Sequence, residues 1–119
     1  MSTKANVRHS GDVAIVDLSG RVTLGEGSGL VRNTIKDLLN AGYRNILLNL
    51  SDVSYLDSAG LGEVVGSYAT VTHQGGSIKL LNPQGKVKDL LQVTKLYAVF
   101  ETFSDEKLAV GSFAGAAGA

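Results

Sequence analysis

The run LDSAGLG, residues 56–62, joins a hydrophobic stretch to a pattern of helical period. It places the hydroxyl of Ser58 next to the carboxylate of Asp57. Three roles are open to such a hydroxyl: a nucleophile, a cap that accepts backbone N–H bonds at a helix start, or a target that another protein modifies. Serine and aspartate are among the commonest helix caps, so simple capping by Ser58 or Asp57 is the default interpretation.

Catalysis by Ser58 would require a base within hydrogen-bond reach. The two histidines do not supply one: His9 lies in the opening strand, and His73 closes the helix that Ser58 begins, roughly 20 Å away. The nucleophile-elbow pattern G-x-S-x-G is absent. Asp57 or Asp52 could act as a phosphoacceptor only with further acids after the first strand, and these are missing. The sequence predicts no enzyme, no catalytic residue, no metal site and no cofactor.

Modification of Ser58 by an outside kinase needs only a reachable hydroxyl, because the kinase brings the metal and the base. A phosphate there would add about −1.5 to −2 charges at the positive end of a helix, where it should not unfold the domain. Its effect would fall on a partner that must desolvate the new charge. Two interpretations of Gly60 and Gly62 stay open: close approach by another backbone, or tight packing of the helix on its own sheet.

The composition restricts the class of protein. A length of 119 residues fits one domain. The eleven basic and eleven acidic side chains cancel, so no large positive field attracts nucleic acid or an anionic membrane. Cysteine is absent, the N-terminus lacks a signal-peptide core, and no apolar run approaches the roughly 20 residues of a membrane span. We expect a soluble cytoplasmic protein that binds neither nucleic acid nor membrane.

Strands and helices alternate after an opening pair of strands, which predicts an α/β fold with a mixed sheet of four to five strands packed with about four helices. The strand at 45–50 is apolar on both sides and should be central. Residues 51–57 are predicted as a loop and 98–103 as extended, and Lys79 should point out of its strand. We expect the domain to span 1–110 and the tail at 111–119 to be disordered. The predicted strands are 5–9, 13–18, 45–50 and 77–81; the predicted helices cover about 30–39, 59–74 and 87–94, and a fourth helix starts at 104–106.

The stretch at 45–83, NILLNLSDVSYLDSAGLGEVVGSYATVTHQGGSIKLLNP, resembles the signature region of the STAS domain of bacterial anti-sigma factor antagonists. The pattern D-S-[SA]-G-L-G, after a hydrophobic strand and before an amphipathic helix, carries the likeness. It extends more weakly over residues 5–110. The resemblance implies the STAS fold.

The resemblance also implies a partner-switching function. The unphosphorylated antagonist would bind an anti-sigma factor that is itself a GHKL-type serine kinase, and a sigma factor would be set free. Phosphorylation at Ser58 would break the complex, and a PP2C-type phosphatase would restore it. Such an antagonist should be a monomer or weak dimer. The alternative is a STAS scaffold or regulatory subunit of a larger assembly, stressosome-like or for lipid transport.

By the same resemblance, one docking face combines the loop at 21–27 with the start of the Ser58 helix. Thr23 takes a place where many family members carry an acidic residue, and Glu26 would substitute for that acid in part. The predicted partner-binding residues are Arg21, Thr23, Glu26, Asp57, Ser58, Ala59, Gly60, Leu61 and Gly62.

Overall fold

The computed structural model describes residues 3–25 and 27–113. Within them, five strands, four α-helices and one short 3-10 helix alternate along the chain. The strands are β1 (Lys4–Ser10), β2 (Val13–Val22), β3 (Asn45–Leu56), β4 (Ser77–Leu81) and β5 (Thr102–Phe103). The helices are α1 (Ser28–Asn40), α2 (Ser58–His73), α3 (Gly85–Val93) and α4 (Glu106–Gly111), with the 3-10 turn at Leu96–Ala98.

The strands form one sheet in the order β1-β2-β3-β4-β5. β1 runs antiparallel to β2, whereas each later strand lies parallel to its neighbour. The predicted mixed sheet with helical crossovers is therefore confirmed. Because parallel strands point the same way, β2, β3 and β4 all end at one edge of the sheet. Val22 of β2 pairs with Leu56 of β3 at that edge.

Each face of the sheet buries a separate apolar cluster. α1, α2 and α3 cover one face, and α4 covers part of the other. The strand β3 contributes to both faces, since Leu48 and Leu47 point in opposite directions and both are fully buried. This confirms the central position predicted from its apolar character. The helix-side cluster includes Val16, Leu18, Val31, Ile35, Leu48, Leu50, Val64 and Leu80, and the α4-side cluster is Val13, Ile15, Leu47, Leu81, Ala109 and Phe113.

The predicted loop at 51–57 is wrong, because β3 continues to Leu56. The extra residues pair with a part of β2 that passes through Gly20, where the register shifts twice. Gly20 has a φ of 93°, a conformation that glycine adopts without steric cost. With this bulge, the pairing of β2 and β3 continues past Gly20 to Val22 and Leu56, although both strands carry polar residues there. The prediction at 98–103 is also partly wrong, since only Thr102–Phe103 is a strand.

Two predictions are wrong for one structural reason. Lys79 does not point into solvent, and the fold does not end at residue 110. Lys79 is only 8% exposed, because the end of α4 lies over it. Its ammonium donates to the carbonyl and hydroxyl oxygens of Ser112 at 3.0 and 2.9 Å and lies 4.8 Å from the ring centroid of Phe113. Phe113 itself is buried. Residues 111–113 therefore belong to the fold, and the rest of the predicted tail, 114–119, lies outside the described residues.

Candidate functional site

Ser58 is the first residue of α2, directly after the short connection from β3. It is exposed. Within the described residues its hydroxyl has no hydrogen-bond partner. A serine that capped the helix would instead direct its oxygen at an N–H group of the first turn. The Ser58 hydroxyl is therefore free and accessible at the amino end of a helix of 16 residues.

The capping role belongs to Asp57. One carboxylate oxygen, Oδ1, accepts a hydrogen bond from the Gly60 N–H at 2.8 Å, as expected at the start of a helix. The other oxygen, Oδ2, accepts from the Leu24 N–H at 3.0 Å. These bonds, first from Gly60 and then from Leu24, lower the pKa of the Asp57 carboxyl from its ordinary value. Asp57 is thus a fixed negative charge beside the Ser58 hydroxyl at neutral pH.

The bond to Leu24 connects two segments that are far apart in the sequence. Leu24 lies in the loop between β2 and α1, which is closed by a bridge between Thr23 and Gly27. Its side chain is 79% exposed. Leu24 lies within the loop at 21–27 that was predicted as part of the docking face, but it was not singled out as a binding residue. The signal that could have found it is a leucine placed between polar and glycine residues in the run TLGEG, where no core position is available.

Most of the predicted docking residues lie at one edge of the sheet. Arg21 and Tyr55 pair across β2 and β3, and the Arg21 guanidinium lies 5.1 Å from the centroid of the Tyr55 ring. Thr23 follows and is half-buried. Glu26, predicted to substitute for the missing acid, lies outside the described residues.

The two glycines of the first turn of α2 have different surroundings. A Cβ added to Gly60 would lie 2.0 Å from the carbonyl oxygen of Val22, whereas a Cβ on Gly62 would meet nothing within 4 Å. Gly60 therefore packs on the chain's own sheet, which is one of the two interpretations of the sequence. Gly62 is exposed and leaves room for another chain. Ala59, just before Gly60, and Leu61, between the two glycines, are half-buried.

The described groups near Ser58 do not form a catalytic site. The His9 ring stacks on Tyr43, with centroids 4.8 Å apart, and Tyr43 lies just before the amino end of β3. His73 ends α2, about 22 Å along the helix from Ser58. The adjacent Asp57 is a poor general base, because both of its oxygens accept hydrogen bonds and its pKa is lowered.

Over 3–25 and 27–113, no group of three or more His, Cys, Asp or Glu side chains is placed to hold a metal ion. No helix in this part of the chain has the length and apolar character needed to cross a bilayer.

Comparisons with known proteins agree on one family. The sequence profile described as the STAS domain matches residues 4–109. The anti-sigma-B factor antagonist of Bacillus subtilis is 30% identical over 101 residues, which cover 85% of this chain and 91% of that protein. A homologue of a candidate anti-sigma factor antagonist, from Thermotoga neapolitana, is 38% identical over 72 residues, 58% of this chain and 64% of that protein.

Solved structures extend the likeness to three dimensions. The crystal structure of a candidate anti-sigma factor antagonist from Thermotoga maritima superposes with a TM-score of 0.81 at 28% sequence identity. The superposition covers 88% of this chain and 90% of that one. The two proteins therefore share nearly the whole fold.

Proposed function

The chain belongs to the STAS domain family, and from this membership and the exposed Ser58 we propose that it is an anti-sigma factor antagonist that acts in the cytoplasm. In its unphosphorylated form it binds an anti-sigma factor serine kinase of the GHKL type, and the sigma factor held by that kinase is released. Phosphorylation of Ser58 ends the binding. A PP2C-type phosphatase removes the phosphate and restores the binding form.

The observation that carries the proposal is the free hydroxyl of Ser58 at the start of α2. A kinase requires a hydroxyl that can enter its active site, and Ser58 is exposed and makes no internal hydrogen bond among the described residues. The phosphate would sit at the positive end of the helix, where the dipole favours negative charge. The domain should therefore remain folded in both states.

The switch acts on the partner through charge. The phosphate brings about −1.5 to −2 charges next to the carboxylate of Asp57, which is already ionised. A partner that docks on this surface must desolvate both charges, and without a cation to meet them this costs several kcal/mol. Because each 1.4 kcal/mol changes the affinity about tenfold, one phosphate is sufficient to lower it by orders of magnitude.

The proposed docking surface consists of the exposed and half-buried groups around Ser58. Thr23 is uncharged at the place where the resemblance implies an acidic residue, so this surface is less negative and would favour a kinase that does not rely on a cation at that point. Its residues are Arg21, Thr23, Asp57, Ala59, Leu61 and Gly62, with Gly60 supporting the turn from beneath.

Phosphorylation is tested with the purified protein, a purified anti-sigma factor serine kinase of the source organism, Mg²⁺ and ATP. Mass spectrometry should find one phosphate, on Ser58. Ser54→Ala is the matched control, because Ser54 is also exposed and lies four residues away in β3. Ser58→Ala should abolish the modification and Ser54→Ala should not. Phosphate on another residue, or none with any such kinase, would refute the proposal.

Binding is tested with the same kinase. Ser58→Ala should bind it about as tightly as the unmodified protein, and Ser58→Glu should bind weakly, since a carboxylate adds charge at the interface. The size of the purified protein separates the antagonist from a scaffold subunit: an antagonist elutes as a monomer or weak dimer, and a subunit of a stressosome-like or lipid-transport assembly co-purifies in a large particle.

A further inference from the structure

We propose that Asp57 is a positioning residue that ties the β2–α1 loop to α2, so that Leu24 serves as an apolar anchor for the kinase beside Ser58. The inference rests on the proposed function and adds to it a residue outside the signature motif. It assigns separate roles to three neighbours on one surface: Ser58 receives the phosphate, Leu24 binds, and Asp57 holds the two in a fixed relation.

The geometry around Asp57 supports the positioning role. Its two carboxylate oxygens bond to N–H groups that are 36 residues apart in sequence, Leu24 at 3.0 Å and Gly60 at 2.8 Å. Its carbonyl oxygen also accepts from the Leu61 N–H at 2.9 Å. The residue before Ser58 therefore contacts the loop and the first turn of α2 at once. A helix cap requires only the bond to Gly60, so the bond to Leu24 needs another explanation.

The exposure of Leu24 supports the anchor role. A single exposed leucine is ordinary on a protein surface. Leu24 differs because its backbone is fixed by a charged hydrogen bond while its side chain remains 79% exposed. Fixing the backbone lowers the entropy that the loop would otherwise lose on docking. An exposed apolar side chain on a fixed backbone can be buried in a pocket on a partner without the cost of ordering the loop.

The occupant of this surface is the kinase that modifies Ser58. Its complementary feature would be an apolar recess beside its phosphate-transfer site, at the distance that separates Leu24 from Ser58. Binding of Leu24 in that recess would orient the hydroxyl for transfer. Loss of the anchor should therefore weaken recognition and leave the chemical step nearly unchanged.

The positioning role is tested on the protein alone with Asp57→Asn. Asparagine caps helices as well as aspartate does, but its amide nitrogen cannot accept the Leu24 N–H. Hydrogen exchange of the Leu24 amide, followed by NMR, should become roughly three- to tenfold faster, while the Gly60 amide stays protected. The matched control is Asp105→Asn, because Asp105 caps α4 through the Leu108 N–H at 3.0 Å. Unchanged Leu24 exchange in Asp57→Asn would overturn the positioning role.

The anchor role is tested by the kinetics of Ser58 phosphorylation. Leu24→Ala should raise KM for the protein substrate about tenfold with kcat nearly unchanged. Leu108→Ala is the control, since Leu108 is 68% exposed on α4, which packs on the opposite face of the sheet. It should leave both constants unchanged.

A double variant decides whether Asp57 acts through Leu24. If it does, Asp57→Asn combined with Leu24→Ala should be no worse than Leu24→Ala alone. Additive losses would mean that Asp57 affects recognition independently of Leu24 and would overturn its positioning role. If Ser58 is phosphorylated and Leu24→Ala behaves as Leu108→Ala does, the anchor is wrong and the proposed function stands. If no kinase modifies Ser58, both proposals are overturned.

Discussion

Replacing Gly60 with alanine forces a methyl group into the contact between α2 and β2. The new Cβ would lie 2.0 Å from the carbonyl oxygen of Val22, 2.9 Å from its carbonyl carbon and 3.2 Å from Cδ2 of Leu56. The Leu56 side chain can rotate, but the Val22 carbonyl is backbone in the sheet. To restore an ordinary contact of about 3.5 Å, the helix and the strand must separate by about 1.5 Å.

The expected loss of stability follows from two opposing terms. Forcing a methyl group into a packed contact costs about 1–3 kcal/mol. Alanine gains up to about 1 kcal/mol over glycine in helix propensity. Because the clash is with backbone at 2.0 Å, the upper end of the packing cost applies. The free energy of unfolding of Gly60→Ala should therefore fall by about 2 kcal/mol, and the melting temperature by roughly 6–12 °C.

Gly62→Ala is the matched control on the same helical turn. Its Cβ would meet no atom within 4 Å, so only the propensity term remains, and the variant should be more stable by up to about 1 kcal/mol. Urea unfolding monitored by circular dichroism measures both variants, and equal m-values show that the same transition is compared. If Gly60→Ala were as stable as Gly62→Ala, the close packing of α2 on Val22 would be refuted.

The remaining predictions concern the face of the sheet that α4 covers. Arg8 donates to Asp17 and Glu106 and holds the pKa of both carboxyl groups below their ordinary values. Lowered folded pKa values stabilise the protein above the unfolded values, about 4, and this stability is lost as the pH falls through the folded values. Arg8→Met should therefore lower the free energy of unfolding by about 1 kcal/mol or less at pH 7, because all three side chains are partly exposed. In urea unfolding, the variant should lose less stability than the unmodified protein as the pH falls below 4. An identical loss of stability in the two proteins below pH 4 would contradict this. Phe113→Ala should lower the free energy of unfolding by about 3–5 kcal/mol in the same assay, because Phe113 is buried. The control Val93→Ala, at a site that is 79% exposed, should be nearly neutral. Equal stability of the two variants would mean that residue 113 does not belong to the core.

Local patterns in the sequence were sufficient for the type and order of most elements. The alternation at 13–18 and the apolar run at 45–50 describe strands because a strand has a side-chain period of two. Val31, Ile35 and Leu38 share one face of α1 because a helix has a period of 3.6, and all three are buried as predicted. The motif at 57–62 located the start of α2 to within one residue.

Other features depended on contacts between distant segments. The second half of β3 is a strand because the bulged end of β2 lies beside it, and neither segment alone has a strong strand pattern. Lys79 is buried because α4 returns over the sheet, which strand alternation cannot reveal. The end of the fold was predicted too early for the same reason, since Phe113 is ordered by packing on the sheet and not by local propensity.

In the candidate site, too, some features follow from the local sequence and others depend on the tertiary structure. The sequence by itself determined that a hydroxyl and a carboxylate stand together at a helix start, because capping chemistry is local. The tertiary structure alone decided which of the two is free. Parallel pairing brings the ends of β2 and β3 to one edge, where the Asp57 carboxylate meets the Leu24 N–H. Both oxygens of Asp57 are then engaged, while Ser58 faces outward.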